Sequence, residues 1–179
     1  MMKNWLLILA ICISCISCFC TSQEQPAPSN EKGRTFQDDL LDKMAGPGKL
    51  SGTIRGKNVG HSVEAQWVLN HQFLQVHEKD LATPPAYEAS VMIGYDTLSE
   101  RYVAHWLDVF GGRFSETLGY GTRSGDQIEF VFEYPDGPFR TIFRWVPDKK
   151  QWQWQMRTKD NSGKWVEFSN LTLTSAGGQ

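Results

Sequence analysis

"QIEFVFEYPDGPFRTIFRWV", residues 127–146, decides how the rest of the chain is read. Ile128, Phe130, Phe132 and Tyr134 share one side, with Glu129 and Glu133 opposite. Past Asp136-Gly137, Phe139, Phe143 and Trp145 stand against Arg140 and Arg144. A strict period of two, apolar on one face and charged on the other, predicts half-buried antiparallel strands, and the Asp-Gly break predicts a turn between them.

The same alternation runs outwards in both directions. Strands are expected over 49–57, 63–70, 73–81, 86–94, 101–109, 113–120, 127–134, 138–147, 151–158 and 164–174, separated by Gly, Pro, Asn and Asp clusters. Trp67/Leu69, Tyr87/Ala89/Val91/Ile93, Tyr102/Ala104/Trp106 and Trp152/Trp154/Met156 extend the dry face, opposite Glu64/Gln66, Glu88/Ser90, Arg101/His105 and Gln153/Gln155/Arg157. Short links without crossover helices describe an antiparallel meander, and closing it removes two exposed edges. "RTFQDDLLDKMAG" places Phe36, Leu40, Leu41 and Met44 at helical spacing, ending at Gly46-Pro47. The expected fold is all-β: an antiparallel up-and-down β-barrel of about ten strands over residues 34–179, with one short N-terminal helix.

The chain begins "MMKNWLLILAICISCISCFCTSQEQPAPSN", in which one lysine precedes an apolar run and then small residues. Residues 1–20 read as a signal peptide cleaved near 20–22, and residues 21–33 as a disordered, proline-bearing leader. All four cysteines lie in residues 1–20, so the remainder carries no disulfide, thiol nucleophile or cysteine–metal site. A secreted or periplasmic protein is expected. The alternative is a lipid anchor at Cys18 or Cys20, although "CISC" and "SCFC" lack the aliphatic residue usually found three positions before such a cysteine. Without residues 1–20, 17 basic face 20 acidic residues with no basic cluster. That argues against nucleic acid and against direct membrane attraction, leaving the anchor as the only membrane link.

The segment ending "LLDKMAG", then "AQWVLNHQFLQV", then "IGYD" and "HWLD", follow one another in an order that resembles a bacterial family known as a domain of unknown function (number 1579). The resemblance covers residues 36–174 and implies a lipocalin-like, or calycin-like, β-barrel; it implies no established activity and no functional residues. Where that family commonly carries Gly-x-Trp, this chain has "GPGKLSGTI", without a tryptophan.

In "RYVAHWLDVFGGRFSETLGYG", residues 101–121, parity puts Asp108 with Tyr102 and Trp106, and Glu116 with Phe114, Leu118 and Tyr120. A carboxylate on a dry face is costly unless it is paired, hydrogen-bonded or near water. One explanation is polar anchors at the mouth of a cavity lined by Trp67, Tyr102, Trp106, Phe114, Trp145 and Trp154, with Asp108 and Glu116 fixing the ligand's orientation. A plainer one has both carboxylates bonding the Gly111-Gly112 turn, and a bulge there would rotate Glu116 outwards.

The partner these residues fit is a small apolar or amphipathic molecule, with no catalysis expected. An enzyme (lyase, isomerase or hydrolase) using Asp108 and Glu116 in the same cavity is the first alternative. A barrel filled by its own side chains, acting as an envelope interaction protein, is the second. No zinc spacing exists among His61, His71, His77 and His105, and no Gly-x-Ser-x-Gly elbow is present. His61 and His71 read as turn residues. No cofactor is expected, the alternative being a haem held by His77 or His105.

Overall fold

The computed structural model describes residues 35–176. The expected signal peptide, its cleavage site, Cys18 and Cys20 lie outside the described residues. Ten strands follow in order: β1 (Gly46–Ile54), β2 (Lys57–Val68), β3 (Phe73–Asp80), β4 (Glu88–Asp96), β5 (Arg101–Asp108), β6 (Leu118–Ser124), β7 (Gln127–Tyr134), β8 (Gly137–Val146), β9 (Gln151–Lys159) and β10 (Trp165–Ser175). Each pairs antiparallel with its sequence neighbours, and β1 pairs β10 with Leu50 opposite Leu173, closing the barrel. The sheet therefore has no free edge.

Period two holds most regularly where the expectation began. Ile128, Phe130 and Phe132 of β7, Phe143 of β8 and Trp152 and Trp154 of β9 are all at most 2% exposed. Phe143 packs on Trp154 at 4.8 Å and on Phe130 at 5.8 Å between ring centroids. Burying each such ring contributes about 1.5–3 kcal/mol. The middle of the barrel is thus packed ring against ring.

Two expectations change. The expected strands over 49–57 and 63–70 put the first turn between them, but the chain turns at Arg55-Gly56, both at positive φ (49° and 74°), which a two-residue hairpin matching strand twist requires. The second change is in β6. Expected over 113–120 with Phe114, Glu116, Leu118 and Tyr120 inwards, it instead spans Leu118–Ser124, and Gly119 and Gly121 face the core. Gly119 lies opposite Phe132 and Gly121 opposite Phe130. The two phenyl rings occupy the space that side chains on β6 would need, so Leu118 and Tyr120 turn outwards, where Arg101 lies 3.7 Å from the Tyr120 ring centroid. Residues Gly112–Ser115 form a single helical turn, α1.

Residues 35–45 form a strap across the barrel end that carries the β2–β3, β4–β5, β6–β7 and β8–β9 turns. The helix expected here is, in the described residues, one 3-10 turn at Leu41–Met44. The strap's backbone bonds along itself, as in Asp42 N–H to the Asp38 carbonyl (2.9 Å), and also to the barrel. Phe36 N–H donates to the His71 carbonyl (3.1 Å), and Trp152 Nε1 donates to the Lys43 carbonyl (3.2 Å). Leu40, Leu41 and Met44 are buried beneath it. Asp38 locks the strap: its Oδ1 accepts the N–H groups of Leu40 and Leu41 (3.0 and 2.8 Å), and the Tyr102 hydroxyl donates to its Oδ2. Arg123 joins Asp38 and Asp39 to β6.

Candidate functional site

The opposite end carries the β1–β2, β3–β4, β5–β6, β7–β8 and β9–β10 connections. Among the described residues no strap crosses it. The inward positions nearest this end are aromatic, as the period dictates, yet titratable groups stand among them. Trp106, the last buried ring of β5, donates from Nε1 to the Tyr87 hydroxyl at 3.0 Å. Asp108 follows two residues later on the same face, and its Oδ1 accepts the Phe110 N–H at 2.9 Å. Burial pushes the Asp108 carboxyl above its ordinary value, against the opposing pull of the Phe110 N–H and the Tyr87 hydroxyl. Among the described residues no cation pairs with it.

Tyr87 is the hub. Its ring stacks on His61 (5.8 Å) and meets Phe110 (6.0 Å). Burial first, then the negative charge of Glu78, holds its phenol protonated far above the ordinary range. His61 Nδ1 bonds Glu78 Oε1, both side chains being almost wholly buried. The Glu78 hydrogen bond raises the His61 pKa, outweighing the opposing effect of burial. On β7 at the same end, Tyr134 is pushed up to about 12 by burial and by the charge of Asp108. It stacks on Phe132 (5.6 Å) and meets the edge of Phe114 (6.1 Å). Val109, Phe110 and Phe114 of the β5–β6 connection form an exposed apolar rim.

The expected ligand-binding residues do not share one space. Trp106, Asp108 and Phe114 gather at the open end. Trp154 lies beneath Trp106 at 6.1 Å, only 1% exposed, with its indole N–H lacking a hydrogen-bond partner. Tyr102 and Trp67 belong to the strapped end, where Asp38 and Asp42 accept their polar hydrogens. Trp145 lies there too, 5.7 Å from Trp152. Glu116 is exposed at the end of α1, so the expected Asp108/Glu116 pair does not share the interior; the helical turn after Gly111 breaks the parity that had joined them.

His77 and His105 stand on the outer wall. His77 Nε2 bonds Glu88 (2.7 Å) and His105 Nε2 bonds the Ser115 carbonyl (2.6 Å), so neither presents a ligand to a haem inside the barrel. Among the described residues no group of three or more His, Asp or Glu is placed to hold a metal ion.

His61, Glu78, Tyr87 and Tyr134 were missed as site residues. A turn between the strands expected over 49–57 and 63–70 makes His61 a turn residue, whereas the hairpin at Arg55-Gly56 carries it into β2. Its parity with Val63 and Ala65, and that of Glu78 with Leu74 and Val76, was the available signal.

Residues 40–174 match the model of a family described as "Protein of unknown function (DUF1579)", and the chain belongs to that family. Comparison with curated proteins returns no match.

Proposed function

We propose that this member of the DUF1579 family binds a small amphipathic molecule at the open end of its barrel, in the manner of a lipocalin-like carrier. One observation carries the proposal: Asp108, Tyr87, Tyr134 and Trp106 place polar groups among aromatic rings at the end opposite the strap, beside an exposed apolar rim. Apolar burial would drive binding, and these few polar groups would fix orientation. Because Trp154 and Phe143 fill the middle, the ligand sits at the mouth rather than passing down the axis. A secreted or envelope location, with or without an anchor at Cys18 or Cys20, suits such a role.

The test is native mass spectrometry of the protein purified without detergent, followed by organic extraction of what it carries. A stoichiometric small molecule, retained by the wild type and lost by Trp106→Ala and Asp108→Asn, is the expected result. A bare protein mass, with no change in tryptophan fluorescence across a panel of lipids and amphiphiles, would refute it. That outcome would favour the second reading, a barrel acting only through its outer surface. The near-complete burial of Trp152, Trp154, Phe130, Phe132 and Phe143 speaks for that alternative.

A further inference from the structure

His61 and Glu78 are paired with each other, so a protonated His61 and an ionised Glu78 cancel locally. Asp108 has a backbone N–H and a phenol beside it but no cation within salt-bridge distance among the described residues. The Tyr87 hydroxyl bonds both Asp108 and the Trp106 indole N–H, and Tyr134 lies near enough to feel the Asp108 charge. His61 stacks on one face of Tyr87 and Phe132 on one face of Tyr134, and no Lys or Arg among the described residues lies over Tyr87, Trp106 or Tyr134. Cations of the chain do lie over aromatic faces elsewhere: Arg55 over Phe168 (4.9 Å) and Arg113 over Phe114 (5.7 Å). Arg113 is also held by Asp136 at 3.0 Å, so it serves the rim rather than Asp108.

An aromatic enclosure attracts a cation through the negative faces of its rings, and a carboxylate within it adds a direct charge partner. An anion would meet Asp108 and the same ring faces as repulsion, and a neutral molecule would gain apolar burial alone. A bare metal ion would find one carboxylate where several oxygens are needed. The rim adds Val109 (56% exposed) and Phe110 (68% exposed) as surface for a hydrocarbon substituent.

Resting on the binding site proposed above, we propose that its ligand class is the organic cation: an alkylammonium whose charged head sits among Tyr87, Trp106 and Tyr134 against Asp108, with its apolar chain over Val109 and Phe110.

The experiment titrates the purified protein near neutral pH with three probes of equal chain length, decyltrimethylammonium, decanoate and decanol, below micellar concentrations, read by tryptophan fluorescence and calorimetry. The ammonium is expected to bind at least about tenfold more tightly than either of the others. Asp108→Asn should remove that preference while leaving the weaker binding of decanol, and Asp136→Asn at the rim should leave it intact. Circular dichroism confirms that each variant is folded, and the wild-type ammonium affinity should fall as salt is added. If decanoate or decanol binds as tightly as the ammonium, the cation inference fails while the amphipathic site stands. If none of the three binds, both fail.

Discussion

Gly119 of β6 lies directly opposite Phe132 of β7, and a Cβ at Gly119 would fall 2.4 Å from Cζ of that ring. The glycine is there because the ring is. Gly119→Ala forces Phe132, itself stacked on Tyr134, out of its position, and overpacking of this kind costs about 1–3 kcal/mol. Urea denaturation of the variant should show a lower midpoint with an unchanged slope. A second change, Phe132→Leu, should restore part of the loss by vacating that volume.

Among the bonds that hold the strap, those of the buried Asp38 carboxylate are the most numerous. Asp38→Ala removes the acceptor for Leu40 N–H, Leu41 N–H and the Tyr102 hydroxyl together. A loss of about 2–4 kcal/mol is expected from orphaning these buried donors. Tyr102→Phe, which removes only the hydroxyl, should cost about 1–2 kcal/mol. Asp39, fully exposed although bound to Arg123, should matter far less. Equilibrium denaturation of the three variants checks the order, and equal effects at Asp38 and Asp39 would sink the assignment.

The His61–Glu78 pair predicts a pH dependence with a definite sign. The folded-state pKa of His61 is raised above 6.5 by the Glu78 hydrogen bond. The stability this confers is fully present below pH 6.5, the unfolded value, and is lost as the pH rises through the folded value. Thermal midpoints of the wild type should therefore decline across that window. In His61→Gln that decline should flatten, and an equally steep decline would show that another group is responsible.

Asp108 has the opposite relation to stability. Its folded pKa is raised by burial, so its ionised form above the unfolded value of 3.8 works against the fold. Asp108→Asn retains an oxygen that can accept the Phe110 N–H and removes the buried charge. Its midpoint near neutral pH should hold or rise even as ligand binding is lost. A residue that weakens the fold is expected where function outweighs local consistency, and the proposed ligand site would be that function. A clear fall in the midpoint would instead make Asp108 a turn-stabilising residue.

The barrel was legible because side-chain alternation is a local property: burial on one wall imposes period two on every strand, and the Gly, Pro, Asn and Asp breaks mark where each ends. The site was legible in part. Trp106 and Asp108 announced themselves as an aromatic and a carboxylate on one dry face. Parity, however, gives no position along the barrel axis, so it could not separate Trp67, Tyr102 and Trp145 at the strapped end from Trp106 at the open one. Parity also fails across any segment that leaves the sheet, which is how α1 turned Glu116 outwards and reversed the reading of β6.

By itself the sequence determined an antiparallel barrel of ten strands with a ring-filled dry face, because burial and turn chemistry act residue by residue along the chain. Only the tertiary structure decided which inward groups meet. His61 finds Glu78 from another strand, Tyr102 finds Asp38 from the strap, and Tyr87 joins Trp106. These encounters depend on register and on the closing of the sheet, and a linear pattern carries neither.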